Sequence, residues 1–156
     1  MDTNGMTEDK VALRNRARSG ASWFYWIAGL SVINSIIAAT GSTWGFMAGL
    51  GVTQLIDGLG QSIGTETKAI TLGLDVIVAA MCAGLGVWAS RNSWAYLGGM
   101  ILYALDGGLF LIVGDWVGLA FHGLVLFFLW GGWTAQRALD RMPRTTPAET
   151  RLDQAA

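Results

Sequence analysis

Residues 44–64 read WGFMAGLGVTQLIDGLGQSIG, and whether this stretch crosses a membrane decides the fold. It is about as long as the 20 or so residues that span a hydrocarbon core. Gln54, Asp57 and Gln61 recur at i, i+3 and i+7, which puts three polar groups on one helical face. Trp44, Met47, Leu50, Leu55 and Leu59 supply apolar surface elsewhere, and the glycines weaken any helix formed there.

Charge separates the two readings. Short loops rich in Lys and Arg stay cytoplasmic. The basic residues are Lys10, Arg14, Arg16, Arg18, Lys68, Arg91, Arg137, Arg141, Arg144 and Arg151. If residues 44–64 cross, these residues divide evenly between the two sides. If the stretch lies on or dips into the outer surface, only Lys68 falls outside. The second arrangement keeps the bias, so residues 44–64 are expected to form an interfacial or re-entrant helix on the outer face.

Four other segments are long and apolar enough to cross, at about residues 22–40, 69–88, 94–114 and 116–138. The expected fold is therefore an all-α integral membrane protein, a four-transmembrane-helix bundle with one additional outer helix. Composition agrees. Charged residues are 13% of the chain, against roughly 25% in an average soluble domain, and 53% of residues are hydrophobic. The first span is longer than the 7–15 apolar residues of a cleaved signal peptide, so an uncleaved signal anchor is expected. Both termini are expected in the cytoplasm and the chain in the cell inner membrane. Trp23, Trp26, Trp88, Trp94, Trp130 and Trp133 fall near the inner boundary, and Trp44 and Trp116 near the outer one, where indole rings favour the headgroup level.

The chain divides into a basic segment at 1–21, a membrane bundle at 22–142 and a flexible tail at 143–156. The first segment is expected to start unstructured and become a basic helix. The last span is expected to run to Met142 and stop before Pro143. The connections at residues 91–93 and at Asp115 are short enough to force antiparallel hairpins. Ser31/Ser35, Ala79/Ala83, Ala80/Gly84, Gly114/Gly118 and Gly131/Ala135 are small-xxx-small pairs that let helix backbones approach. Such Gly, Ala and Ser faces suit packing within the chain, a homo-oligomer or a larger membrane complex. The net charge of -1 and the placement of basic residues beside spans give no nucleic-acid partner. The lipid bilayer is the partner the composition demands.

Polar residues inside the spans carry the functional expectation. Asn34, Asp75 and His122 each lie about six residues, or about 9 Å, from the outer ends of their helices. Asp106 lies about nine residues in, roughly 13 Å. Ionisable groups at such depth face the bundle interior and pair. An Asp75–Asp106–His122 network is expected, with Asn34 nearby, Tyr103 donating to Asp106 from one turn away, and one proton shared between the two carboxylates. Asp57 and Gln54 would close over it from the outer helix.

Several roles stand open for these residues. They could lock the bundle, or bind a small ligand, a proton or an ion. Two carboxylates and an imidazole at Asp75, Asp106 and His122 also suit a divalent metal, Mn, Fe or Zn, although no Glu-x-x-His or His-Glu-x-x-His spacing accompanies them. A non-catalytic accessory subunit of a larger complex is the alternative, and a metal-dependent membrane enzyme a narrower one. His122 is the only histidine, which excludes bis-His haem ligation within the chain. Cys82 is the only cysteine and reads as a packing residue. Gly60-Gln61-Ser62-Ile63-Gly64 matches G-x-S-x-G, but that motif needs a strand-to-helix elbow that nothing here supplies.

Overall fold

A computed structural model describes residues 3–40, 50–63 and 68–142, all of them in helices or the turns joining them. Five helices follow one another: α1 (Thr3–Ala39), α2 (Gly51–Ile63), α3 (Lys68–Ala89), α4 (Ser93–Val113) and α5 (Trp116–Arg141). Four of these, all but α2, are long and apolar enough to cross a membrane. They form the expected four-helix membrane bundle, with α2 as the additional helix. Helix α1 packs on α3 and α5, α4 packs on α5 and α3, and α2 rests on α3, α1 and α4.

The burial pattern is that of a protein dissolved in lipid. Ser31, Asn34, Ser35, Asp75, Asp106 and His122 are buried, while Ile70, Ile77, Leu105 and Ile112 face outward. A water-soluble domain buries its large aliphatic side chains and exposes its charges. Here polar groups gather inside and aliphatic surface is left for the bilayer.

The hairpin turns are cut by local chemistry. Asn92, in an extended conformation, accepts a hydrogen bond from the Trp94 N–H and so caps α4, satisfying one of the free donors of a helix start. Gly114 ends the same helix at φ 75°, and the Asp115 N–H donates to the Phe110 carbonyl across it at 2.9 Å. A side chain is strained at that φ, which is why glycine stands there. Asp115 then accepts from the Val117 and Gly118 N–H groups at 3.1 and 3.0 Å and starts α5. Two residues therefore end one span and begin the next.

At the opposite end, α1 and α5 cross backbone to backbone. A Cβ on Gly20 would lie 2.5 Å from the Gly132 Cα, so neither position has room for a side chain. The Tyr96 hydroxyl reaches into this crossing and donates to the Ala17 carbonyl. Neither glycine belonged to the small-residue pairs read from the sequence. The Ser31/Ser35 pair is buried in the core.

One segment boundary differs from expectation. The basic segment, expected to begin unstructured, is helical from Thr3 and continues into the first span without a break. Leu13, Ala12, Ala17 and the arginines are good helix formers, and a helix already nucleated in the span propagates into them at low cost. Of the helix expected at residues 44–64, α2 (Gly51–Ile63) is described; residues 44–49 and Gly64 lie outside the described residues. Helix α5 ends at Arg141 with Met142 as its extended cap, and the tail at 143–156 lies outside the described residues.

Candidate functional site

The polar residues of the spans form two groups, both at the α2 end of the bundle. The first is built on Asp106. Its Oδ2 accepts from the Gly51 N–H at 2.7 Å and its Oδ1 from the Val52 N–H at 2.8 Å. The Leu50 N–H donates to the Ser31 hydroxyl at 2.7 Å. A helix start exposes four N–H donors with no partner in the helix, and α2 has no capping side chain of its own at this point. Its cap comes from α4 and α1 instead. The carboxylate also meets the positive end of the α2 dipole, a second favourable term.

His122 completes this group. Its Nε2 lies 3.0 Å from Asp106 Oδ2, and its Nδ1 lies 2.9 Å from the Gly118 carbonyl. A carbonyl only accepts, so Nδ1 carries a proton. A second proton lies between Nε2 and Oδ2, and whichever atom holds it the pair is neutral. With two backbone donors already on the carboxylate, the arrangement is that of an ion pair with every polar atom satisfied. The His122 ring is sandwiched, stacked on Tyr103 at 4.3 Å between centroids and tilted against Phe110 at 4.7 Å.

Tyr103 is thus placed differently from the expectation that it donates to Asp106. Its ring covers His122, and its buried hydroxyl has no hydrogen-bond partner. The Asp106 oxygens receive α2 and His122 and not the Tyr103 hydroxyl.

The second group holds Asp75 of α3 beside Asp57 of α2 and Ser35 of α1. Asp75 is fully buried, and neither of its carboxyl oxygens has a hydrogen-bond partner. The Ser35 hydroxyl is equally buried and stands next to the carboxyl without closing a hydrogen bond to it. Burial, and then the neighbouring Asp75 carboxyl, push the Asp57 carboxyl up to about 6. The two carboxyls that meet are therefore Asp57 and Asp75, where the sequence pointed to Asp75 and Asp106.

The remaining expected residues take simpler places. Asn34 is buried on α1, one position before Ser35. Gln54 is exposed and lines a small surface cavity with Gly51, Leu55 and Phe110. Ser62 of the G-x-S-x-G match is exposed and donates to the Leu59 carbonyl of its own helix at 2.7 Å. Among the described residues, no three His, Cys, Asp or Glu side chains group closely enough to hold a metal ion. Asp75, Asp106 and His122, named above as a possible metal set, do not form such a group because α2 inserts its N-terminus at Asp106 and its Asp57 at Asp75.

Ser31 and Ser35 are the site residues that the sequence did not mark for chemistry. They were read as packing residues, although two hydroxyls one turn apart in an apolar span are also a donor and acceptor line along one face. No family model, curated protein or solved structure matches this chain, so the reading of the site rests on its geometry.

Proposed function

We propose that this small multi-pass membrane protein binds a proton or a small cation at the Asp57–Asp75 pair, on an outer helix held in place by Asp106 and His122. The observation that carries the proposal is the Asp75 carboxyl, fully buried with both oxygens unpartnered beside a second carboxyl. An ionised carboxylate in such surroundings lacks the donors that normally accompany burial. A shared proton, or a cation held between the two carboxyls and the Ser35 hydroxyl, supplies what is missing. The gathering of Arg14, Arg16, Arg18, Arg91, Arg137 and Arg141 at the other end of the bundle supports an orientation with both termini in the cytoplasm. The pair then faces the outer side of the cell inner membrane.

The test is an infrared titration of the carboxyl bands on the full-length protein in detergent. One band is expected to titrate with a midpoint near pH 6 and to vanish in Asp57→Asn. Sodium or calcium ions should move the midpoint down if a cation occupies the same place. Because the folded-state value lies above the ordinary 3.8, the folded protein binds this proton more tightly than the unfolded chain. Its contribution to stability is present at and below pH 3.8 and fades as pH rises towards about 6. A titration with no group between pH 5 and 7, unchanged by either substitution or salt, rejects the reading.

One observation favours a second reading, an accessory subunit. A Cβ at Gly73, Gly84, Gly98 or Gly108 would meet nothing within 4 Å, so α3 and α4 carry small-residue notches on their outer faces. Such notches suit a partner helix at close range. A slower-migrating complex on native gels that is lost in Gly84→Leu would favour it.

A further inference from the structure

A cavity of about 390 Å³ lies between α1, α3 and α4, beneath the start of α2 and apart from the Asp57–Asp75 pair. Its wall is apolar, with Phe24, Val78 and Leu85 inside and Met81, Leu102 and Leu105 at the rim. The rim residues are among the most exposed of the bundle, so the opening faces the bilayer and not the aqueous side. The volume falls within the range of small-molecule sites, which are mostly apolar with a few placed polar groups.

Three polar side chains line it: Cys82, Tyr103 and Asp106. Two of them are already engaged. The Cys82 thiol donates to the Phe24 carbonyl at 3.5 Å, and the Asp106 oxygens serve α2 and His122. The Tyr103 hydroxyl lies within electrostatic reach of both Cys82 and Asp106, and it alone is buried with no partner. The polar group left free in this cavity is therefore a donor. Leaving a buried hydroxyl unpaired opposes folding, and a ligand acceptor would relieve it. The cavity offers no cation to an anionic ligand head, and the aromatic and aliphatic wall favours an uncharged, apolar body.

We propose that this cavity binds a neutral, membrane-soluble molecule that enters from the bilayer and accepts a hydrogen bond from Tyr103 through a carbonyl oxygen. Such a carbonyl belongs either to a quinone-type ring or to an acyl ester. Two probes separate these sources: a decyl-substituted benzoquinone, followed by quenching of Trp fluorescence, and methyl dodecanoate, followed by its displacement of the quinone. The full-length protein is used at constant detergent.

Saturable quinone quenching is expected in the wild type. Tyr103→Phe should weaken it about tenfold, the loss of one hydrogen bond to a buried partner. The same substitution should leave the melting temperature of the ligand-free protein unchanged or higher, since it removes an unpaired buried hydroxyl. Val78→Phe, which fills the cavity, should abolish quenching while circular dichroism shows an intact helical fold. Displacement by the ester at comparable concentration assigns the site to acyl lipids, and its failure assigns it to quinone-type rings. No saturable binding of either probe overturns the proposal. Binding that survives Tyr103→Phe but not Val78→Phe also overturns it, because the cavity then holds an apolar tail without the hydrogen bond.

Discussion

Asp106 shows how one side chain organises its surroundings. It accepts three hydrogen bonds, from two α2 amides and from His122. Asp106→Asn keeps the shape but replaces one acceptor with a donor and removes the charge. It leaves an α2 amide facing an NH₂ group and His122 without its counter-charge. Breaking a buried pair by changing one partner costs about 3–5 kcal/mol. A loss of about 3 kcal/mol is therefore expected for Asp106→Asn in denaturant unfolding of the detergent-solubilised protein. Asp115→Asn, at an ordinary surface cap, should cost less than about 1 kcal/mol. Equal effects of the two substitutions would mean that the buried pair adds nothing beyond a cap. Asp106 and His122 thus read as a structural strap, and Asp75, whose oxygens have no partner, as the group left for binding.

Among the elements, α2 is the one whose position is decided from outside. The residue before its first turn is Leu50, whose side chain has no acceptor to cap a helix. Ser31 and Asp106 do so from α1 and α4. The helix that carries Asp57 is accordingly seated by one hydroxyl and two carboxylate hydrogen bonds, and loosening them should release it before the bundle opens. Ser31→Ala is expected to cost about 1 kcal/mol, equivalent to roughly fivefold faster hydrogen exchange, confined to the first turn of α2. Exchange that accelerates equally in α4 and α5 would show that α2 does not move as a separate unit. The residues of this element illustrate what periodicity reveals and what it hides. Gln54, Asp57 and Gln61 share a face in any helix, so the sequence marks that face as polar. Which of them meets another carboxyl depends on the rotation of α2, and that is set by two contacts made some 19 and 55 positions away.

For the whole molecule, the close crossing of Gly20 and Gly132 fixes how α1 and α5 sit, and through Tyr96 it ties α4 to both. Gly132→Val places a Cβ 2.8 Å from the Gly20 Cα, with backbone on the other side that has no rotamer to yield. The two helices must part, and overpacking of this kind costs about 1–3 kcal/mol or more. A lower melting temperature is expected for Gly132→Val, against no change for Gly98→Ala, whose Cβ enters open space. If Gly132→Val melts like wild type, the crossing is looser than the geometry implies.

The four candidate crossings, the helical class and the additional helix within residues 44–64 were legible from sequence, because hydropathy over 20 residues is a property of the chain alone. So was the burial of Asn34, Asp75, Asp106 and His122, since a polar group in an apolar span has nowhere else to go. Which of these groups touch was decided only by the tertiary structure. Depth along a helix follows from counting residues, but rotation about its axis follows from packing, and a rotation of one residue, about 100°, exchanges one partner for another. That is why Asp106 meets His122 and an α2 N-terminus, while Asp75 meets Asp57.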